Sequence, residues 1–182
     1  MKKHLIVLPG NSAQNRAWGE AFLSHYEGWF DSIYLQEYGH WQNEGENINF
    51  ALEESVLKSH IAANVAPDTK VVVMAKSAGA ILAFLASESG IIKPTQVFFF
   101  GIPFDFAVVD VWHDNWSAVA KFNFPAIAFH NEHDPIADFA FTREALKKHA
   151  PQIPLITTED TNHAYNRFEL YDPHILPLLT TL

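Results

Sequence analysis

The sequence predicts an α/β protein, a three-layer α/β/α sandwich around a mostly parallel six-stranded sheet. Short apolar runs alternate with longer segments of helical period along the whole chain, with no internal repeat and no linker. Several runs are apolar at nearly every position, Val71-Val72-Val73 and Phe98-Phe99-Phe100 above all. That is the pattern of parallel strands covered on both faces, whereas a half-exposed antiparallel sheet alternates. The 182 residues correspond to one domain, residues 1–182, long enough to bury roughly 70% of its unfolded surface without a metal or a disulfide.

The strands are assigned to the runs His4 to Leu8, Ser32 to Leu35, Lys70 to Met74, Gln96 to Phe100, Ala126 to Phe129 and Ile153 to Thr157. Between the first two, Trp18, Phe22 and His25 recur about once per helical turn, and between the next two so do Leu52, Val56, Ser59 and Ala63. Asn47 and Asn49 are candidate caps for that second helix, and Glu54 with Lys58 makes a favourable i,i+4 pair. The Ala-rich segment Ala78 to Glu88 stops before Gly90, a natural helix C-terminus, and Asp138 caps a helix that runs to His149 before Pro151. Asp172-Pro173 is a good helix start, but Pro177 falls inside the segment that follows, so the C-terminus is expected to be irregular or short. Parallel strands joined by right-handed helical crossovers give the sandwich.

Composition narrows the function. With Asp+Glu 21 against Lys+Arg 12 the formal net charge is −9, which repels a polyphosphate, so no nucleic-acid partner is expected. Zero cysteines exclude thiolate metal sites and a cysteine nucleophile. Only Leu5 to Leu8 forms an apolar run near the N-terminus, too short for a signal-peptide core, and no run approaches a membrane span. The expectation is a cytoplasmic protein without a membrane partner.

In parallel sheets the binding crevice lies outside the carboxyl ends of the strands, so the chemistry is sought in the residues that follow each run. Ala75-Lys76-Ser77-Ala78-Gly79 joins a strand to a helix. A serine nucleophile on such a turn projects its hydroxyl into the crevice, and the crowded turn requires small residues two before and two after it, which Ala75 and Gly79 are. From this segment alone Ser77 can equally be a helix cap. A serine nucleophile needs a base, and the base an orienting carboxylate. His130-Asn131-Glu132-His133-Asp134-Pro135 follows one strand and Asp160-Thr161-Asn162-His163 the next. Ser77, Asp134 and His163 then read, in chain order, as nucleophile, acid and base on three different strand ends.

That order and context resemble the α/β-hydrolase superfamily, in particular its small lidless serine hydrolases, and the resemblance covers essentially the whole chain. It implies an α/β-hydrolase fold lacking the family's two N-terminal strands. It also implies Ser77 at the nucleophile elbow, Asp134 at the acid position and His163 at the base position. The departure is Ala75, where the family's Gly-x-Ser-x-Gly has its first glycine. The oxyanion donors are expected to be the backbone N–H groups of Ala78 and, by analogy with the family, Asn11.

Each assignment has a rival. Glu132 is a second candidate for the orienting acid, Asp160 reads as a surface turn residue, and His130 with His133 raises a metal site that lacks a further spaced ligand pair. No metal and no cofactor are expected. Lys76 is read first as solvated, and second as a contact for a carboxylate-bearing substrate. Ile102 to Asn123, where the family inserts its cap, is only about twenty residues long and carries Phe104, Phe106, Trp112 and Trp116. These aromatics are candidates for an apolar acyl or alcohol pocket, Phe104 first among them, while Trp112 and Trp116, spaced i,i+4, can instead pin a short helix onto the sheet, the preferred role for Trp116. Trp41, in the loop Gly39 to Gly45, either lines the crevice or anchors the loop. The expected function is a serine hydrolase of a small ester or related acyl compound. The alternatives are a catalytically silent binding module of the same fold and an acyl transferase.

Overall fold

The computed structural model describes residues 1–43, 46–113 and 115–182. Residues Glu44 and Gly45, the end of the Gly39 to Gly45 loop, and Asp114 therefore lie outside the described residues. Six strands, β1 (Lys3–Leu8), β2 (Ser32–Leu35), β3 (Lys70–Lys76), β4 (Gln96–Phe100), β5 (Ala126–Asn131) and β6 (Leu155–Thr158), form one sheet in the order β2-β1-β3-β4-β5-β6. Every neighbouring pair is parallel. The chain runs outward from β1 to β2, then from β3 across to β6, so the order reverses between β1 and β3. A crevice opens at the carboxyl ends of such a pair.

The helices are α1 (Asn15–Tyr26), α2 (Phe50–Asn64), α3 (Ala78–Glu88), the short α4 (Phe104–Asp110) and α5 (Ser117–Ala120), α6 (Phe139–His149) and α7 (Asp172–Thr181). Two cores lie on opposite faces of the sheet. Alternate strand residues Ile6, Leu8, Val73 and Phe99 pack with α2, α3 and the α4–α5 segment, whereas Leu5, Val7, Met74 and Phe98 pack with Trp18 and Phe22 of α1 and Ile175 and Leu179 of α7. The period of two sends each strand's side chains to both layers, and both layers are apolar. Among the described residues no helix is long and apolar enough to cross a membrane.

The caps form largely as the residue types dictate. Asn49 accepts from Leu52 N at the start of α2, and Asp138 accepts from Phe141 N at the start of α6. Past α3, Gly90 adopts φ +72° and Ile92 N donates to the Ala86 carbonyl, closing the helix as expected. Asn47 does not cap α2; its Oδ1 accepts from Asn11 Nδ2.

Four expectations fail for tertiary reasons. The face of α2 is rotated: Leu52 and Val56 are 53% and 40% exposed, while Glu53 and Leu57 are buried. The Glu53 carboxylate accepts from Gln36 Nε2 at 2.7 Å and Gly39 N at 3.0 Å, which satisfies a buried charge and fixes the helix phase. The Glu54–Lys58 pair does not form, because Glu54 accepts from Ser89 Oγ instead. In α1, Tyr26 rather than His25 takes the third buried position. At the C-terminus α7 runs through Pro177. That proline forgoes only one backbone bond of a short helix, and burial of Ile175 and Leu179 outweighs the loss.

The buried histidine on β1 makes folding pH-dependent. His4 places Nδ1 2.7 Å from Ser32 Oγ and Nε2 3.1 Å from His60 Nε2. Burial first, and then the facing His60, lower its pKa from 6.5 to about 4, and burial lowers that of His60 as well. The unfolded chain therefore binds protons that the folded one refuses, so this contribution is intact above pH 6.5 and is lost as the pH falls toward 4. Denaturant unfolding across this range should show a loss on the order of 2–3 kcal/mol from His4. His4→Leu should flatten the decline.

Candidate active site

Ser77 stands at the junction of β3 and α3 with φ +52° and ψ −121°, a backbone conformation that a non-glycine residue adopts only at a cost of about 1–3 kcal/mol. Its N–H donates to the Phe100 carbonyl and its own carbonyl accepts from Ala80 N, so neighbouring strand and helix hold the turn. The hydroxyl makes no capping hydrogen bond to α3, which removes the helix-cap reading. The small flanking residues are steric necessities. Ala75 is fully buried, with its Cβ accommodated, and a Cβ on Gly79 would overlap the Leu8 and Pro9 carbonyl oxygens. The first turn of α3 thus presses on the end of β1.

The Pro9–Ser12 segment follows β1. Asn11 is bound through four contacts: its carbonyl accepts from His40 Nε2 at 2.7 Å and Trp41 Nε1 at 2.8 Å, its Oδ1 accepts from Ile48 N at 2.8 Å, and its Nδ2 donates to Asn47 at 3.0 Å. Among the described residues neither Asn11 N–H nor Ala78 N–H has an acceptor. Trp41 therefore anchors its loop to Asn11. The residues after this loop that line the crevice are Asn47, Ile48 and, at the start of α2, Phe50.

Asp134, after β5, gathers four donors. Its Oδ1 accepts from Ile136 N at 2.8 Å and Ala137 N at 3.0 Å, and its Oδ2 from His163 Nδ1 and the Tyr165 hydroxyl, both at 2.7 Å. Burial alone raises a carboxyl pKa, but the bonds from His163 and Tyr165 outweigh it and hold Asp134 at about 2. An ionised carboxylate only accepts, so Nδ1 of His163 carries the proton. The Nε2 atom is buried without a hydrogen-bond partner among the described residues.

Two cavities meet at Ser77. One of about 680 Å³ is lined by Ser77, His163, Lys76 and Asn11; the other, of about 590 Å³, is lined by Ser77, Ala78, Asn11 and apolar side chains of Ile48, Phe50 and Phe106. The structure therefore brings Ser77, His163, Asp134, Asn11, Ala78 and Lys76 together. Phe104 is corrected: it is fully buried, packed among Phe84, Trp112 and Trp116, and Phe106, 50% exposed, faces the cavity in its place. Lys76 is not solvated, because β3 extends to include it and leaves it only 5% exposed. Glu132 is exposed, Asp160 pairs with Arg167, and His130 Nε2 donates to the Ala137 carbonyl while His133 is exposed. Among the described residues no three His, Asp or Glu side chains are arranged to hold a metal.

Tyr165 escaped the sequence reading. Its ring lies where a Cβ on Gly101 would sit, its carbonyl accepts from Trp18 Nε1, and its hydroxyl also accepts from Asn131 N at 3.0 Å. Burial and the Asp134 charge push its pKa far above 10, so it stays a donor. Its signal was a tyrosine two residues past His163, a residue type that needs a polar partner once buried.

The chain matches no protein-family model and no curated protein. It is similar in structure to alpha/beta hydrolase domain-containing protein 10 from mouse, with TM-score 0.73 at 13% identity over 98% of this chain and 90% of that one. A protein from Xanthomonas campestris pv. campestris, described as a hydrolase candidate of the alpha/beta superfamily, matches over 100% of both chains with TM-score 0.70 at 13% identity. The esterase domain of a Rhodothermus marinus protein matches with TM-score 0.68 at 12% identity over 97% of this chain and 84% of that one. The chain has the α/β-hydrolase fold, on a six-stranded parallel sheet.

Gly79→Ala should force α3 away from β1 and destabilise the protein by about 3 kcal/mol in denaturant unfolding. Tyr165→Phe, which leaves the buried Asn131 N–H without its acceptor, should cost about 1–3 kcal/mol in the same measurement.

Proposed function

We propose that the protein is a serine hydrolase that cleaves a small ester or related acyl compound through an acyl-enzyme on Ser77. The observation that carries this reading is His163, bound to Asp134 through Nδ1 at 2.7 Å and presenting an unpartnered Nε2 in the cavity that Ser77 lines. The fold neighbours support a hydrolase, one of them being named an esterase domain. Cavities of about 590 and 680 Å³ suit a small-molecule substrate.

In the proposed reaction Ser77 Oγ attacks the acyl carbonyl carbon as His163 Nε2 takes the hydroxyl proton. The carbonyl oxygen becomes an oxyanion between the N–H groups of Asn11 and Ala78, the second at the positive end of the α3 dipole. The bond to the leaving group breaks, and Nε2 returns the proton to the leaving oxygen. Asp134 keeps the imidazole in the required tautomer and stabilises the imidazolium. Water then attacks the acyl carbon by the same proton relay, releasing the acid and free Ser77. No cofactor enters any step.

A fluorophosphonate probe should label Ser77, as read by mass spectrometry, and Ser77→Ala should abolish the labelling with the circular dichroism spectrum unchanged. On an accepted ester the same variant should lose up to about a millionfold in kcat. Absence of labelling in folded wild-type protein would leave a binding module of the same fold.

A further inference from the structure

The buried lysine beside Ser77 distinguishes the two cavities chemically. Lys76 Nζ donates to Asn15 Oδ1 at 2.6 Å and lies 5.7 Å from the centre of the Trp18 ring. No carboxylate among the described residues comes within ion-pair distance of it. A buried ammonium without a counter-ion is costly, and an anion delivered to it gains a charge-assisted bond in a desolvated setting. The side chain lies on the wall of the larger cavity, whose lining contains no carboxylate. The smaller cavity is apolar along Ile48, Phe50, Pro103 and Phe106 and carries a carboxylate, Asp110, in its lining. An anionic group is therefore welcome on one side of Ser77 and repelled on the other.

The proposed chemistry orients the substrate between these two sides. Nε2 of His163 protonates the leaving oxygen, so the leaving group occupies the cavity that His163 lines, the one that also holds Lys76. The acyl chain is left with the apolar cavity beside Ala78. We infer that the substrate is an ester of an apolar acid whose leaving alcohol or phenol carries a carboxylate, and that Lys76 binds that carboxylate. This inference rests on the serine-hydrolase reading and adds the polarity of the substrate to it. Burial lowers the Lys76 pKa to about 8, with the Asp134 charge opposing the shift, so the side chain is mostly cationic at pH 7.

The test compares butyryl esters of three phenols with one nitrophenol core, bearing a carboxylate (4-hydroxy-3-nitrobenzoate), its primary carboxamide, or an aminomethyl group. In wild-type protein at pH 7, kcat/KM should fall in the order carboxylate, carboxamide, ammonium, with about tenfold or more between the first two. In Lys76→Met and Lys76→Gln, with folding checked by circular dichroism, the carboxylate-to-carboxamide ratio should fall toward one. A wild-type ratio of one or below overturns the inference without recourse to a variant, and so does a preference that both variants retain. If none of the esters turns over and Ser77 is not labelled, the hydrolase reading fails by itself. Calorimetric binding of free 4-hydroxy-3-nitrobenzoate then decides the site: tighter binding than the carboxamide in wild type, lost in Lys76→Met, supports the anion subsite, and equal or absent binding overturns it.

Discussion

The contact between the first turn of α3 and the end of β1 leaves no space for a side chain at position 79, and the geometry around Ser77 depends on it. Because Gly79 abuts the Leu8 and Pro9 carbonyls, the first turn of α3 sits against the end of β1, beside the β1–β3 pair where the sheet order reverses. The chain passes from strand to helix through one residue of positive φ, Ser77. The strain at that turn is small beside the burial around it. β3 and α3 are buried along nearly their whole lengths, so the surrounding cores over-determine a conformation that Ser77 by itself disfavours.

A second constraint is the Asp134 carboxylate, which joins elements that are distant in sequence. It holds the end of its own loop, before α6, through two backbone N–H groups and the loop after β6 through His163 and Tyr165. Tyr165 in turn is fixed by Trp18 of α1, by the backbone of Asn131 and by the space that Gly101 leaves open. His163 thus occupies its place because the tyrosine two residues later is buried and fully bonded. Removing a member of such a network leaves buried polar groups without partners, which costs more than one hydrogen bond contributes in isolation.

Much of this was legible in the residues. The apolar runs located all six strands to within two residues at each end, since a strand covered on both faces must be apolar throughout. The Ser77 turn was legible because its sterics demand small neighbours at fixed offsets, and Asn49, Asp138 and Gly90 were legible because capping is a local matter. The parts that were misread concern the phase of short or ambiguous helices. Phe104 and Phe106 are two residues apart on a seven-residue helix, so about 200° separates them, and apolar identity cannot say which one faces the core. For α2 the pattern suggested Leu52 and Val56, but the buried bonds of Glu53 to Gln36 and Gly39 decided the rotation.

The sequence by itself determined the layer architecture, the strand-to-helix serine and the chain order of serine, acid and histidine, because periodicity, steric allowance and capping act over a few residues. Tertiary structure alone decided that Asp134 rather than Glu132 meets His163, that Trp41 anchors a loop, that Phe106 and not Phe104 faces the crevice, and that Lys76 is buried beside it. Each of these depends on which distant element covers a side chain. Coverage is set by the packing of the whole sheet and its helices, which no window of neighbouring residues encodes.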